Sequence, residues 1–429
     1  MPFLDTIPAL VKVGTAFVLI VGINRFRVHL SLALFLGAAF LGVVFGMSPG
    51  AILVTVGQSL LDPAVAGLLG IVAIILTLSR IMSDCGQLER LVTSFTRLTR
   101  DSRMAALVMP ALIGLLPMPG GALFSAPMVD TACGENPVEA EIKTAVNYWF
   151  RHIWEYWWPL YPGVVLAVGL LGVEAWRFMA IQAPLSVIVV VAGLVFLLPR
   201  LPRNPATPRA ETHEHGQDGG SFLREARPIL LVILALPAVW LFEKLTGITP
   251  PRLTAVFLGL GLCMTWVVVQ NRPSAGQVVR TVTNRSSGLL LLLICGIMAF
   301  KGVLMESQAV VQIQEELVRY GIPAIAVLMV VPFLAGFITG IAVGFVGASF
   351  PLVLALIAGK TGLDFLAHAS LAYAFGYMGM MLSPVHVCFV VTRDYFHAGL
   401  GASYRHIIGP AALVLVLSLG YFLLLLAIA

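Results

Sequence analysis

A chain of 429 residues with 59% hydrophobic and only 11% charged residues does not read as a soluble domain, where about a quarter of the residues carry charge. Its 26 basic and 21 acidic residues give a net charge of +5, held mostly in arginine-bearing polar connections, and nothing in it points to nucleic acid. What remains is an all-α polytopic membrane protein, with the lipid bilayer as its first partner.

The N-terminal residues carry Asp5 and no basic cluster, and Arg25 and Arg27 follow the first apolar run. That order is the reverse of a cleavable signal peptide and predicts an anchor whose N-terminus lies outside. Apolar runs near the length of a span fall at about 7–23, 28–46, 64–84, 138–172, 176–198, 228–245, 253–269, 287–305, 364–397 and 406–428. Those at 138–172 and 364–397 are broken by proline near their midpoints. Pro49 to Leu61 reads as a short interfacial piece. The five cysteines (Cys85, Cys133, Cys263, Cys295, Cys388) show no paired spacing, so they are expected to pack rather than to bridge or bind metal.

Two further apolar stretches do not read as plain spans. Pro110 to Asp130 is interrupted by Pro117-Met118-Pro119-Gly120-Gly121, and Pro332 to Pro351 by Thr339-Gly340. Proline removes an amide donor and glycine disfavours helix, so each stretch predicts two half-helices meeting at a tip, a re-entrant hairpin at about 103–133 and 323–358. Bare backbone at membrane depth is tolerated only when buried in protein or lining a wet cavity. Interruptions at corresponding places in two halves point to a transporter's substrate site.

The arginines give an orientation. With the N-terminus outside, the inner connections hold Arg25, Arg27, Arg90, Arg97, Arg100, Arg103, the arginines of 199–227, Arg272, Arg280, Arg285, Arg393 and Arg405. The outer ones hold Arg177, Lys244, Arg252, Arg319 and Lys360. The bias survives only if each hairpin enters and leaves on one face. Residues 199–227, rich in Pro, Gly, His and charge, form a flexible cytoplasmic linker, and its His213 and His215 read as solvated.

The linker separates two similar halves, residues 1–198 and 228–429. Phe35-Leu36-Gly37 recurs as Phe257-Leu258-Gly259, Gly67-Leu68-Leu69 as Gly288-Leu289-Leu290, and Pro110 and Gly114 as Pro332 and Gly336; Arg80 is matched by Lys301 and Pro159 by Pro384. Five crossings per half is an odd number, so the halves are expected to be inverted repeats, their hairpins entering from opposite faces.

The candidate site lies where the hairpins meet the broken spans. Pro159 and Pro384 free carbonyls upstream, which suit Na⁺, and leave helix N-termini downstream, which suit an anion. The substrate-binding candidates are Pro119, Gly120, Gly121, Ser125, Trp158, Thr339, Gly340, Gly347, Ser349 and Ser383; glycine and hydroxyl residues also serve close helix packing. Glu155, His152 and His386 are the ionisable candidates for ion coupling, and Arg151, a helical turn before Glu155, can neutralise it. Trp154, Tyr156, Trp157, Trp158 and Tyr161 either line a cavity or pack. Arg80 and Lys301 are expected to snorkel, and Arg393 and Asp394 to cap or snorkel. No catalytic residue set, resident metal site or cofactor motif is found beyond a coupling Na⁺ or H⁺.

Two inverted halves, each with a Pro/Gly-tipped hairpin followed by a broken span, resemble the ion transporter superfamily, which includes dicarboxylate, citrate, gluconate and arsenite carriers. Within it, PMPGGALFSAPMVD (Pro117–Asp130) and GYMGMMLSPVHVCFVVTRDYF (Gly376–Phe396) resemble an uncharacterised integral-membrane family of bacteria and archaea. The resemblance implies an elevator carrier and a homodimer. The Ser-Asn-Thr tips of the dicarboxylate branch are replaced here by Pro117–Gly121 and Thr339–Gly340, so no dicarboxylate specificity carries over. The expectation is a secondary active transporter, not an enzyme, in the cytoplasmic membrane with both termini outside, moving a small organic anion with Na⁺ or H⁺. The alternatives are an exporter of a toxic oxyanion or metabolite, and a membrane enzyme acting on a lipid-linked substrate through Glu155 and His386.

Overall fold

Several helix ends in this chain fall where the sequence supplies a cap, a glycine or a proline at the first turn. The computed structural model describes residues 7–25, 28–87, 90–91, 94, 102–115, 117, 121–134, 138–202, 218–248, 250–251, 253–274, 276, 280 and 284–429. The first half contains α1 (Ala9–Arg25), α2 (Leu30–Val44), α3 (Pro49–Leu61), α4 (Pro63–Asp84), α5 (Ser102–Gly114), α6 (Ala122–Cys133), α7 (Ala140–Arg151), α8 (Pro162–Leu171) and α9 (Ala175–Phe196). The second contains α10 (Asp218–Thr246), α11 (Thr254–Asn271), α12 (Arg285–Glu306), α13 (Ala309–Tyr320), α14 (Ala324–Thr339), α15 (Ala342–Ile357), α16 (Gly362–Met381), α17 (Val387–Phe396) and α18 (Leu400–Ile428). Among the described residues, α4, α9, α10, α11, α12 and α18 are long and apolar enough to cross a membrane. The chain is a helical, multi-pass membrane protein.

Similar contacts recur in the two halves. Asp62 accepts a hydrogen bond from Ala64 N (2.8 Å) to cap α4, and Asn284 accepts one from Ser286 N (2.9 Å) to cap α12. Such a cap contributes about 1 kcal/mol. Gly37 lets α1 close on α2 through Ile20, and Gly259 lets α10 close on α11 through Val232 and Ala235. Every hairpin arm carries an internal proline: Pro110, Pro127, Pro332 and Pro351. The packing is reciprocal as well: α2 lies on α12 while α11 lies on α4, and α8 lies on α15 while α17 lies on α6.

The two predicted hairpins are pairs of short helices packed against each other, α5 with α6 and α14 with α15. The second turns at Gly340, whose φ of 64° is the left-handed region glycine tolerates, followed by extended Ile341. Gly344 and Gly347 fall inside α15, beyond the turn. The tip residues Pro119 and Gly120 lie outside the described residues, as do His213 and His215 of the linker.

The ends of the first pair sit together. Arg103 donates to Leu201 O (2.7 Å) and Pro202 O (3.1 Å) just past α9, and Arg200 and Glu139 both lie near His406 of α18. Lys143 then joins the start of α7 to Asp130 of α6 at 2.6 Å. The ends of the second pair gather where α9 begins instead. Lys301 near the end of α12 donates to Leu170 O (3.3 Å) in the last turn of α8, and Gln314 of α13 donates to Ala355 O near the end of α15. Over its 22 residues α9 rises about 33 Å, so the pairs open at opposite ends of one long helix.

The helix α13 went unread in the sequence. Its segment AVVQIQEELVRY alternates apolar and charged residues at helical spacing, too polar to register as a span. It ties down the start of α1, since Glu316 accepts from Leu10 N at 2.8 Å. At another edge Arg90 donates to Asn271 Oδ1 (2.8 Å) and Glu225 Oε2 (3.3 Å), bringing together the region after α4, the start of α10 and the end of α11.

Candidate functional site

The breaks in the two long spans face each other. α7 stops at Arg151, residues 152–157 run as turns, and Pro162 opens α8; α16 stops at Met381 and Val387 opens α17. A helix that stops leaves backbone groups to be bonded around its end, and tyrosines from the opposing elements donate to carbonyls of the breaks. Tyr377 donates to His152 O, Tyr373 to Glu155 O (2.9 Å) and Tyr148 to Met381 O (3.0 Å). All three rings are fully buried. The breaks therefore lock onto one another through bonds that neither span could make alone.

The aromatic cluster of the first break serves its hairpin. Trp154 Nε1 donates to Ala111 O and Trp158 Nε1 to Leu115 O, each at 2.7 Å, and Tyr161 donates to Gly114 O. These are the closing carbonyls of α5, so the indole and phenol groups act as its C-terminal cap. Gly114 has no room for a side chain, because a Cβ there would strike the Arg151 carbonyl; its counterpart Gly336 is held in the same way against the Gly376 carbonyl. Each hairpin thus seats on its own broken span by a glycine-to-carbonyl contact.

Inside this frame lies a buried ionisable cluster. His152 Nε2 and His386 Nε2 are 3.1 Å apart, and Glu155 Oε1 is 3.8 Å from His152 Nε2. His152 Nδ1 bonds Tyr148 O at 2.6 Å, so that nitrogen carries its proton and Nε2 offers a lone pair. Arg151 bonds Cys388 and lies near Glu155 and Tyr161. The expected i,i+4 pairing of Arg151 with Glu155 on one helix does not form, because α7 ends at Arg151. The charges stay close across the turn instead.

Among the described residues four helices start around this cluster, α6 after Gly121, α8 after Tyr161, α15 after Ile341 and α17 after His386, and none has a side-chain cap from those residues. Gly163 at the start of α8 abuts Ala342 at the start of α15. Asn147 donates to Ala122 O (3.2 Å) at the start of α6 and to Thr392 Oγ1 (3.1 Å) of α17. Asn147 was missed in the sequence, where it sits unmarked in an apolar run; its burial and its unpartnered Oδ1 show only in three dimensions.

The sequence candidates divide accordingly. Gly340 sits at the second break, where a Cβ would come within 3.0 Å of Ser383 Oγ and His386 N. Gly121 opens α6 near Asn147, and Ser125 bonds back to Ala122 O (3.3 Å). Thr339 and Ser349 also bond their own helices, to Ala335 O and Phe345 O at 2.7 Å each. Gly347 packs on Ile297 of α12, and Trp158 on the end of α5. Lys301 is half-buried and bonded to α8, whereas Arg80 pairs with Asp84 at 3.7 Å near the end of α4.

Residues 9–427 match the family described as "Protein of unknown function (DUF401)", and the chain belongs to that family. No curated protein matches it.

Proposed function

We propose that this member of the DUF401 family is a secondary active transporter of a small organic anion, built as two inverted repeats of five spans in the cytoplasmic membrane. The observation that carries the reading is the meeting of four uncapped helix N-termini around paired helix breaks that bury Glu155, His152 and His386. Uncapped amides and the positive ends of helix dipoles favour an anion. An ionisable group at membrane depth costs about 2.5–3.5 kcal/mol even on the lenient insertion scale, which argues for a working role.

The anion would sit among the starts of α6, α8, α15 and α17, touching Gly121, Gly340 and Ser383. The Glu155–His152–His386 cluster would take up the coupling ion. Hairpins that open at opposite ends of α9 support re-entrance from opposite faces, and reciprocal packing of the halves supports inversion. Arg90, Arg103 and the 199–227 linker would face the cytoplasm, with both termini outside. The likeness to the ion transporter superfamily adds elevator motion of the hairpins with their broken spans, and a homodimer.

The test is flux. The purified chain in proteoliposomes, given a panel of radiolabelled organic and inorganic anions, should accumulate at least one when a Na⁺ or H⁺ gradient is imposed. Absence of gradient-driven movement of every anion in both directions would contradict the proposal. Turnover of a lipid-linked substrate in detergent without any gradient would replace it with the enzyme reading.

A further inference from the structure

The sequence set the five cysteines aside as packing residues, yet Cys388 is placed against the two histidines of the breaks. One ligand atom from each of His152, His386 and Cys388 lies within 4.8 Å of the others. We propose that these three side chains form a transition-metal site, Zn²⁺ being the best fit, that clasps the two broken spans together.

Three observations support it. First, the ring nitrogens are 3.1 Å apart; two imidazoles on one tetrahedral zinc, each at about 2.0–2.1 Å, would sit roughly 3.3 Å apart. Second, His152 Nδ1 donates to Tyr148 O, the backbone contact that orients a metal-bound imidazole and frees Nε2 as the ligand. Third, Cys388 stands in the first turn of α17, directly after the break, which holds its sulfur within 4.8 Å of a ring nitrogen of each histidine.

Imidazole and thiolate together select zinc over the oxygen-seeking Mg²⁺ and Ca²⁺. Three protein ligands leave a tetrahedral corner open. Glu155, 3.8 Å from His152 Nε2, is the nearby carboxylate that would be available to that corner. Bound metal would remove both histidines from proton coupling and leave that role to Glu155. The site itself does not depend on the transport reading, because one ion between the breaks serves any function that needs them joined.

Metal content and spectroscopy of the full chain decide it. Protein purified without chelator should hold one zinc per chain. Replacement by Co²⁺ should give the visible bands of tetrahedral cobalt and a thiolate charge-transfer band in the near ultraviolet. Cys388→Ser should abolish the charge-transfer band and His386→Gln should cut zinc content at least tenfold, while Cys133→Ser, in α6, leaves both unchanged. The wild-type cobalt spectrum needs no variant to fold. A wild-type chain that holds no stoichiometric zinc and shows no cobalt–thiolate band overturns the proposal and leaves the histidines as a proton-sharing pair. Zinc retained in full by both site variants overturns it equally.

Discussion

His152 Nε2 and His386 Nε2 meet at 3.1 Å although 234 residues separate them in the chain. Each belongs to the break of its own half, so their contact is where the two halves are joined at the site. The surrounding bonds repeat the logic: Tyr373 and Tyr377 of α16 satisfy carbonyls of the first break, and Tyr148 of α7 satisfies one of the second.

Seating of the hairpins on glycine predicts a matched pair of defects. Gly114→Ala and Gly336→Ala each push a methyl group into a backbone carbonyl, which cannot swing aside as a side chain would. Each is expected to destabilise the chain by about 1–3 kcal/mol, seen as a lowered midpoint of thermal unfolding in detergent. Gly14→Ala in α1, where nothing lies within 4 Å, should be neutral or slightly stabilising.

Removing one of the two neighbouring buried charges should be worse than removing both. Arg151→Met leaves Glu155 unneutralised in an apolar interior, at about 3–5 kcal/mol. The double variant Arg151→Met with Glu155→Gln should recover much of that loss. Denaturation of the wild type, Arg151→Met, Glu155→Gln and the double variant, read as a double-mutant cycle, checks it.

Gly340 combines a left-handed backbone, φ 64°, with close approach to Ser383 and His386. Gly340→Ala adds roughly 1–3 kcal/mol of local strain at the break. Flux should fall at least tenfold while the helical circular dichroism of the purified chain is kept. Gly359→Ala, with open space around it, should leave flux unchanged.

Glu155 is the coupling group that remains if the histidines hold metal. Glu155→Gln should abolish uphill accumulation driven by an ion gradient yet preserve exchange of labelled for unlabelled substrate. Uphill accumulation at the wild-type rate would remove Glu155 from the coupling step.

Much of the helix map could be read directly, because proline, glycine and capping residues mark helix ends in one dimension. Pro49 and Leu61 bound α3 as expected, and Asp62 and Asn284, 222 residues apart, cap matching helices of 22 residues. The helix α13 escaped because its apolar residues line one face only. The site was half readable. Gly340, Ser383, His152, His386 and Glu155 stand out by type and position, but Asn147 and Cys388 are ordinary residues until the fold brings partners from the other half beside them. The role of Trp154, Trp158 and Tyr161 as a cap for α5 was hidden for the same reason, since no spacing rule links them to residues some 43–47 positions upstream.

The most direct measurement is the sidedness of the hairpin ends. Single cysteines at Arg103 and Glu139 bracket the first hairpin, and others at Tyr320 and Gly359 bracket the second. Labelling with a membrane-impermeant maleimide in right-side-out and inverted vesicles, with the unsubstituted chain as blank, reads their faces. The first two should react only from the cytoplasmic side and the last two only from the opposite side. Reaction of Arg103→Cys and Glu139→Cys from different sides, or of Tyr320→Cys and Gly359→Cys from different sides, would mean that a hairpin crosses the membrane, and the inverted carrier architecture would fail.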